Sequence, residues 1–161
     1  MIKKVIIVTG TPGTGKTEIA KKISKAFGFK YVDVNKVVLE NQLSEGFDKK
    51  RKTKIIDTKK LAKALVDLIK ESEESLVIDS HLSHFVPKKY VDLCVVTKCD
   101  LKILENRLKK RKYGKEKVRE NLDAEIFDIC FNEANEKNHK IILIDTGKMI
   151  HLSDLKKLIK F

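Results

Sequence analysis

The chain has no tryptophan and only 2 prolines among its 161 residues, and aromatic side chains make up 6% of it. So little proline excludes Pro-rich linkers and recognition tracts. No run of eighteen apolar residues occurs, so nothing in the sequence reads as a membrane-spanning helix. The cysteines, Cys94, Cys99 and Cys130, are odd in number and lack metal-ligand spacing. That argues against a disulfide framework and for reduced thiols in a cytoplasmic protein, most simply as small apolar fillers. Met1 leads directly into an apolar run, so no signal or transit peptide is expected. Acidic residues are in deficit, 23 against 35 Lys and Arg, for a formal charge of +12. An excess of that size admits RNA, a ribosomal surface, nucleotides or simply a solvated Lys-rich exterior, and composition does not choose among them. The 36% charged content also suits a heat-adapted protein.

What is present is a regular succession of elements. Five apolar runs, at 5–9, 30–34, 76–79, 93–97 and 141–145, read as strands. Between them lie stretches of helical period: 18–27, 58–71 with Leu61, Ala64, Leu65 and Leu68 on one stripe, and 101–112 with Leu101, Leu104 and Leu108. A last helix is expected over 153–160 with Ser153 as its cap. Strands without alternation, interleaved with helices, predict a parallel sheet covered on both faces within one α/β domain spanning 1–161. Ligands of such sheets bind beyond the carboxyl ends of the strands. Two polar stretches fit no core pattern. One is 35–56, with Lys49, Lys50, Arg51 and Lys52; the other is 109–119, with Arg111, Lys112, Lys115 and Lys117 around Gly114. Each reads either as a solvated charged face or as an excursion that holds an acceptor or closes over a donor.

Residues 10–17 satisfy G-x-x-x-x-G-K-S/T through Gly10, Gly15, Lys16 and Thr17, with a strand pattern before and a helix pattern after. A loop in that setting aims backbone N–H groups and a helix N-terminus at an anion. Gly13 and Gly15 allow close approach of backbone to phosphate, Lys16 bridges the β- and γ-phosphates, and the Thr17 hydroxyl joins a Mg²⁺ shell. ATP and Mg²⁺ are therefore expected. Asp79, ending the third strand, reads as the second Mg²⁺-organising carboxylate, acting through water, or as a loop cap. His81 follows at a position to orient water. His84 makes a His-x-x-His pair, too few ligands for a metal site. Arg111 is the candidate arginine finger in cis, with Arg107 one turn earlier on the same helix. Lys148, in the loop after the last strand, can lay its apolar stem beside a base.

Together these residues resemble the adenylate kinase isoenzyme 6 family, in the form expected of an archaeal-type member. The likeness covers nearly the whole chain: the loop at 9–17, Lys30, Tyr31 and Val34, then Glu40, Gln42, Leu43, Gly46, Asp48, Ile55 and Asp57. It continues through Asp79-x-His81, the run Glu105, Arg107, Leu108 and Arg111, and Tyr113, Lys117, Asn121, Glu125, Ile126 and Phe127. The resemblance implies a P-loop NTPase of nucleoside monophosphate kinase type, with a five-stranded parallel sheet, a short acceptor-binding region near 33–57 and a lid near 110–120. It implies phosphorylation of AMP by ATP, ATPase activity, and a role in small-subunit rRNA maturation with a platform ribosomal protein and pre-rRNA as partners. It places Gly13, Thr14, Gly15, Lys16, Thr17 and Glu18 on the ATP phosphates, Arg111 and Lys148 on ATP, and Asp79 and His81 at Mg²⁺ and hydrolysis. A small-metabolite kinase with no ribosomal role shares the loop but would not predict Asp-x-His. Where the family is expected to place an arginine on the acceptor, this chain has Leu39, which removes a bidentate phosphate ligand unless Arg51 or a nearby lysine substitutes.

Overall fold

The computed structural model describes residues 2–50 and 53–161; the expectation that Arg51 replaces a lost acceptor ligand falls outside them. Five strands form one parallel sheet: β1 (Val5–Thr9), β2 (Lys30–Asp33), β5 (Leu76–Asp79), β6 (Leu93–Lys98) and β7 (Ile141–Asp145), in the order β2-β5-β1-β6-β7. Helices α1 (Lys16–Phe27), α2 (Val34–Glu40), α3 (Thr58–Glu71), α4 (Leu101–Lys110), α5 (Lys115–Ile126), α6 (Ile129–Glu136) and α7 (Leu152–Leu158) fill the connections. Parallel neighbours require such crossovers, and the crossovers cover the faces.

The core confirms why the strands carry continuous apolar runs. Val5, Ile7, Leu76, Ile78, Cys94 and Val96 point to one side, against Val37 and Val38 of α2, Leu61 and Leu65 of α3 and Ala134 of α6. Ile6, Val8, Val77, Leu93, Val95 and Ile144 point to the other, against Ile19, Ala20 and Ile23 of α1 and Leu155 of α7. Leu61 and Leu65 are fully buried, a gain of about 1.5–3 kcal/mol each. A third, smaller cluster of Leu104, Leu108, Val118 and Cys99 packs α4 against α5. The three cysteines are free thiols, Cys94 and Cys99 buried and Cys130 half-buried. No described helix is long and apolar enough to cross a membrane.

Local chemistry moves several expected boundaries. The second strand ends at Asp33 because its carboxylate accepts the Asn35 N–H at 2.9 Å and opens α2. The first helix starts at Lys16 rather than at 18, capped by Gly15 in a left-handed conformation (φ 86°). Helix α4 stops at Lys110, before Lys112 at φ 58°. The last helix begins at Leu152, where the His151 N–H donates to Asp154 at 2.9 Å, so Ser153 is inside it and not its cap. The polar stretch 35–56 contains a separate antiparallel ribbon, β3 (Ser44–Asp48) with β4 (Thr53–Ile56). Its base is anchored by Leu43 and Ile56 against the core.

Candidate active site

The carboxyl ends of the strands open on a cleft of about 1080 Å³. Gly13, Gly15, Lys16, Thr17, Glu18, Asp79, His81 and Arg111 all line it, contributed by the loop after β1, the end of β5 and the end of α4. Two expected ligands put no side chain on the cleft wall. Thr14 is fully buried, its hydroxyl 2.6 Å from the Thr11 carbonyl and 2.7 Å from Thr97 Oγ1, so its side chain builds the loop from within. Lys148 is exposed on the turn after β7, outside the cleft wall.

The phosphate loop is held from beneath as well as shaped for a ligand. A Cβ on Gly10 (φ 147°) would stand 2.4 Å from Thr97 Oγ1 and 2.8 Å from its carbonyl oxygen. One on Gly13 (φ 92°) would stand 2.9 Å from Leu108 of α4. Protein packing, not phosphate alone, thus demands these glycines. The Lys16 ammonium donates to the Thr11 carbonyl at 3.3 Å. Burial lowers its pKa to about 8, offset in part by Cys130 and Asp79 and assisted by Arg111, whose guanidinium lies close enough to be felt. At neutral pH Lys16 remains a cation.

At the far side of the loop, Thr17 Oγ1 donates to Asp79 Oδ2 at 2.7 Å, and the Tyr31 phenol donates to the same oxygen at 2.8 Å. Burial, then the bond to Asp79, raises the Tyr31 pKa and keeps the phenol a donor. Hard oxygens on Thr17 and Asp79 suit Mg²⁺ completed by phosphate oxygens and water. No cluster of three His, Cys, Asp or Glu side chains among the described residues would hold a metal without the nucleotide. His81 opens onto the cleft two residues on. Desolvation by the surrounding chain, then Lys16, His84 and Lys117, lower its pKa to about 4 although the residue keeps an exposed edge, so the imidazole is neutral at physiological pH. His84 plays a different part: it is 1% exposed, with Nδ1 2.7 Å from Thr9 Oγ1 and Nε2 2.7 Å from Glu133 Oε2. A carboxylate accepts from Nε2–H, which leaves Nδ1 to accept the Thr9 hydroxyl.

The two arginines separate. Arg107 donates to the Thr146 carbonyl at 2.9 Å, to Thr146 Oγ1 at 3.2 Å and to the Gly13 carbonyl at 3.5 Å, and so ties the β7 loop to the phosphate loop. Arg111, capping α4, faces the cleft with Lys110 and Lys117. Toward β2 and the ribbon the wall is Lys21, Tyr31, Asp33, Asn35 and Thr53. Leu39 is 70% exposed and does not contribute. The partners Tyr31, Thr97, Thr146 and Glu133 were not foreseeable from spacing, since each meets the site across a long sequence gap.

A family model described as an AAA domain matches residues 6–128. The chain is similar to the adenylate kinase isoenzyme 6 homolog of Caenorhabditis elegans, 35% identical over 131 residues that cover 81% of this chain and 72% of the relative. It is also similar to the homolog of that name in Dictyostelium discoideum, 34% identical over 143 residues covering 89% and 81%. Among solved structures, a deoxyadenosine kinase from M. mycoides with bound dATP superposes with a TM-score of 0.59 at 16% identity, covering 96% and 97% of the two chains. A shikimate kinase from Acinetobacter baumannii in complex with shikimate gives 0.64 at 14% identity, covering 96% and 89%. At such identities the structural likeness speaks for the P-loop kinase fold alone.

Proposed function

We propose, from the premise that the chain belongs to the adenylate kinase isoenzyme 6 family with an AAA domain over residues 6–128, that this nucleotide kinase carries the γ-phosphoryl of ATP to AMP and yields two ADP. The observation that carries the reading is the convergence of Lys16, the Thr17–Asp79 pair, His81 and Arg111 on one cleft. In this reading residues 1–161 are one P-loop kinase domain, with an acceptor arm about 33–57 and a lid about 110–120. Gly13, Thr14 and Gly15 offer backbone to the phosphates, Thr14 and Glu18 through the main chain only, and Lys148 borders the base. Thr17 and, through water, Asp79 would hold Mg²⁺, which would supply neutralisation of phosphate charge when bound. Lys16 and Arg111 then stabilise the charge that spreads over the transferring group, and the closed lid excludes water.

ATP hydrolysis belongs to the same site. Neutral His81 accepts a hydrogen bond from water in the cleft and aligns it when no acceptor is held. Exposed Leu39 favours this second activity, because the acceptor end lacks a bidentate guanidinium there. The excess of 35 basic over 23 acidic residues supports the further reading of a cytoplasmic factor in small-subunit rRNA maturation, acting beside a platform ribosomal protein and pre-rRNA.

The test is ADP formation from Mg²⁺-ATP with and without AMP. A many-fold rise with AMP and two ADP per ATP consumed supports the kinase; an unchanged rate with phosphate released makes the protein an ATPase. His81→Ala is expected to lower phosphate release about a hundredfold, the scale of a positioned proton-transfer group, while ATP affinity by calorimetry stays near wild type. Equal losses in both would make His81 a structural residue.

A further inference from the structure

One buried carboxylate touches the phosphate loop and has no part in the roles above. Glu125, in the last turn of α5, is 6% exposed. Its Oε1 accepts from Thr11 Oγ1 at 3.2 Å and from Lys98 Nζ at 2.9 Å, and its Oε2 accepts the Cys99 N–H at 2.9 Å. A buried carboxylate is costly unless its lone pairs are filled and its charge is matched, and here both conditions are met. Lys98 is itself held a second time, by Asp128.

Thr11 is the hinge of the arrangement. It is 1% exposed, and its carbonyl accepts from the Thr14 N–H at 3.1 Å, the Thr14 hydroxyl at 2.6 Å and the Lys16 ammonium at 3.3 Å. The side chain of Thr11 is therefore fixed by Glu125 while its carbonyl fixes Lys16. The same helix presents Lys117, Glu120, Asn121 and Ala124 to the cleft, so Glu125 also sets the register of the lid-side wall against the loop.

We propose that Glu125 is a positioning residue for phosphoryl transfer, acting through the Thr11 hydroxyl to hold the peptide that places Lys16. The inference rests on the phosphotransferase reading but is indifferent to the acceptor. A merely structural Glu125 would need only its bonds to Lys98 and the Cys99 N–H, which staple α5 to β6, and the Thr11 hydroxyl would then be dispensable.

The experiment compares Thr11→Val, Thr11→Ser, Glu125→Gln and the double variant Thr11→Val/Glu125→Gln. ADP formation is measured at varied ATP with AMP present and absent, beside thermal melting. Thr11→Val is expected to lower kcat about tenfold, the scale of one hydrogen bond to a charged group, with KM for ATP little changed and melting near wild type. Thr11→Ser, which keeps the hydroxyl, is expected to restore most of the rate. The double variant is expected to be no slower than the slower single variant, because both act on one bond. Wild-type kcat in Thr11→Val overturns the proposal, as does a double variant whose loss is the product of the single losses. If Glu125→Gln fails to fold, the Thr11→Val and Thr11→Ser pair decides alone. An enzyme that ignores AMP defeats the acceptor assignment while leaving the Thr11–Glu125 comparison intact.

Discussion

Replacement of Lys16 by alanine is expected to reduce ADP formation from Mg²⁺-ATP by at least about a thousandfold, or some 4 kcal/mol of transition-state stabilisation. The ammonium is bonded to the Thr11 carbonyl at 3.3 Å and lines the cleft beside Thr17 and Asp79. With a pKa of about 8 it meets the phosphates as a cation at neutral pH. Its removal deletes a loop side chain that can follow charge from ground state to transition state, and among the described residues no other lysine donates to the loop. Circular dichroism should show a folded variant, since Lys16 contributes nothing to the three apolar clusters. Turnover within tenfold of wild type would remove Lys16 from the mechanism and with it the phosphate-loop assignment.

Arg111→Ala is expected to lower kcat about a thousandfold, the scale of an arginine finger, with a much smaller effect on ATP affinity. Arg111→Lys should recover little, because an ammonium cannot reproduce a planar, bidentate donor. Arg107→Ala supplies the contrast. Its guanidinium is committed to the Thr146 and Gly13 carbonyls, so its loss should loosen two loops, weaken ATP binding and lower the melting temperature, with kcat less affected. Steady-state kinetics and melting curves on the three variants separate these outcomes. A kcat for Arg111→Ala equal to that of Arg107→Ala would leave neither as the finger.

These assignments differ in how far sequence alone could carry them. The sheet was legible because strands buried on both faces must be apolar along their buried length, and 76–78 and 93–96 are. The ribbon β3–β4 was not, since its residues are mostly exposed and neither alternate nor cluster. The phosphate loop was legible as a contiguous motif, and Asp79 and His81 from their place at a strand end. Thr11 meeting Glu125 across 114 positions, or Tyr31 meeting Asp79 across 48, has no local signal at all. Arg107 and Arg111 stand one turn apart at the end of α4 and both line the cleft, and only the fold reveals that the Arg107 guanidinium is committed to the Thr146 and Gly13 loops. His84, one turn beyond His81, shows the same limit: spacing suggested a pair, whereas the chain buries one ring and opens the other to the cleft.

The ribbon β3–β4 offers a separate target for engineering. It shares no strand with the main sheet; Leu43 and Ile56 root it in the core, and ion pairs Glu45–Lys60 and Lys50–Glu116 tie it to α3 and α5. A two-stranded ribbon is marginal by itself, so its shape is lent by the body it is rooted in. Changes in this arm reach the cleft through Thr53 and α5 through the Lys50–Glu116 ion pair, and are expected to leave the phosphate loop and the buried sheet intact. On the proposed reading, acceptor choice can be redesigned on the ribbon while the sequence of the ATP-binding loop is kept.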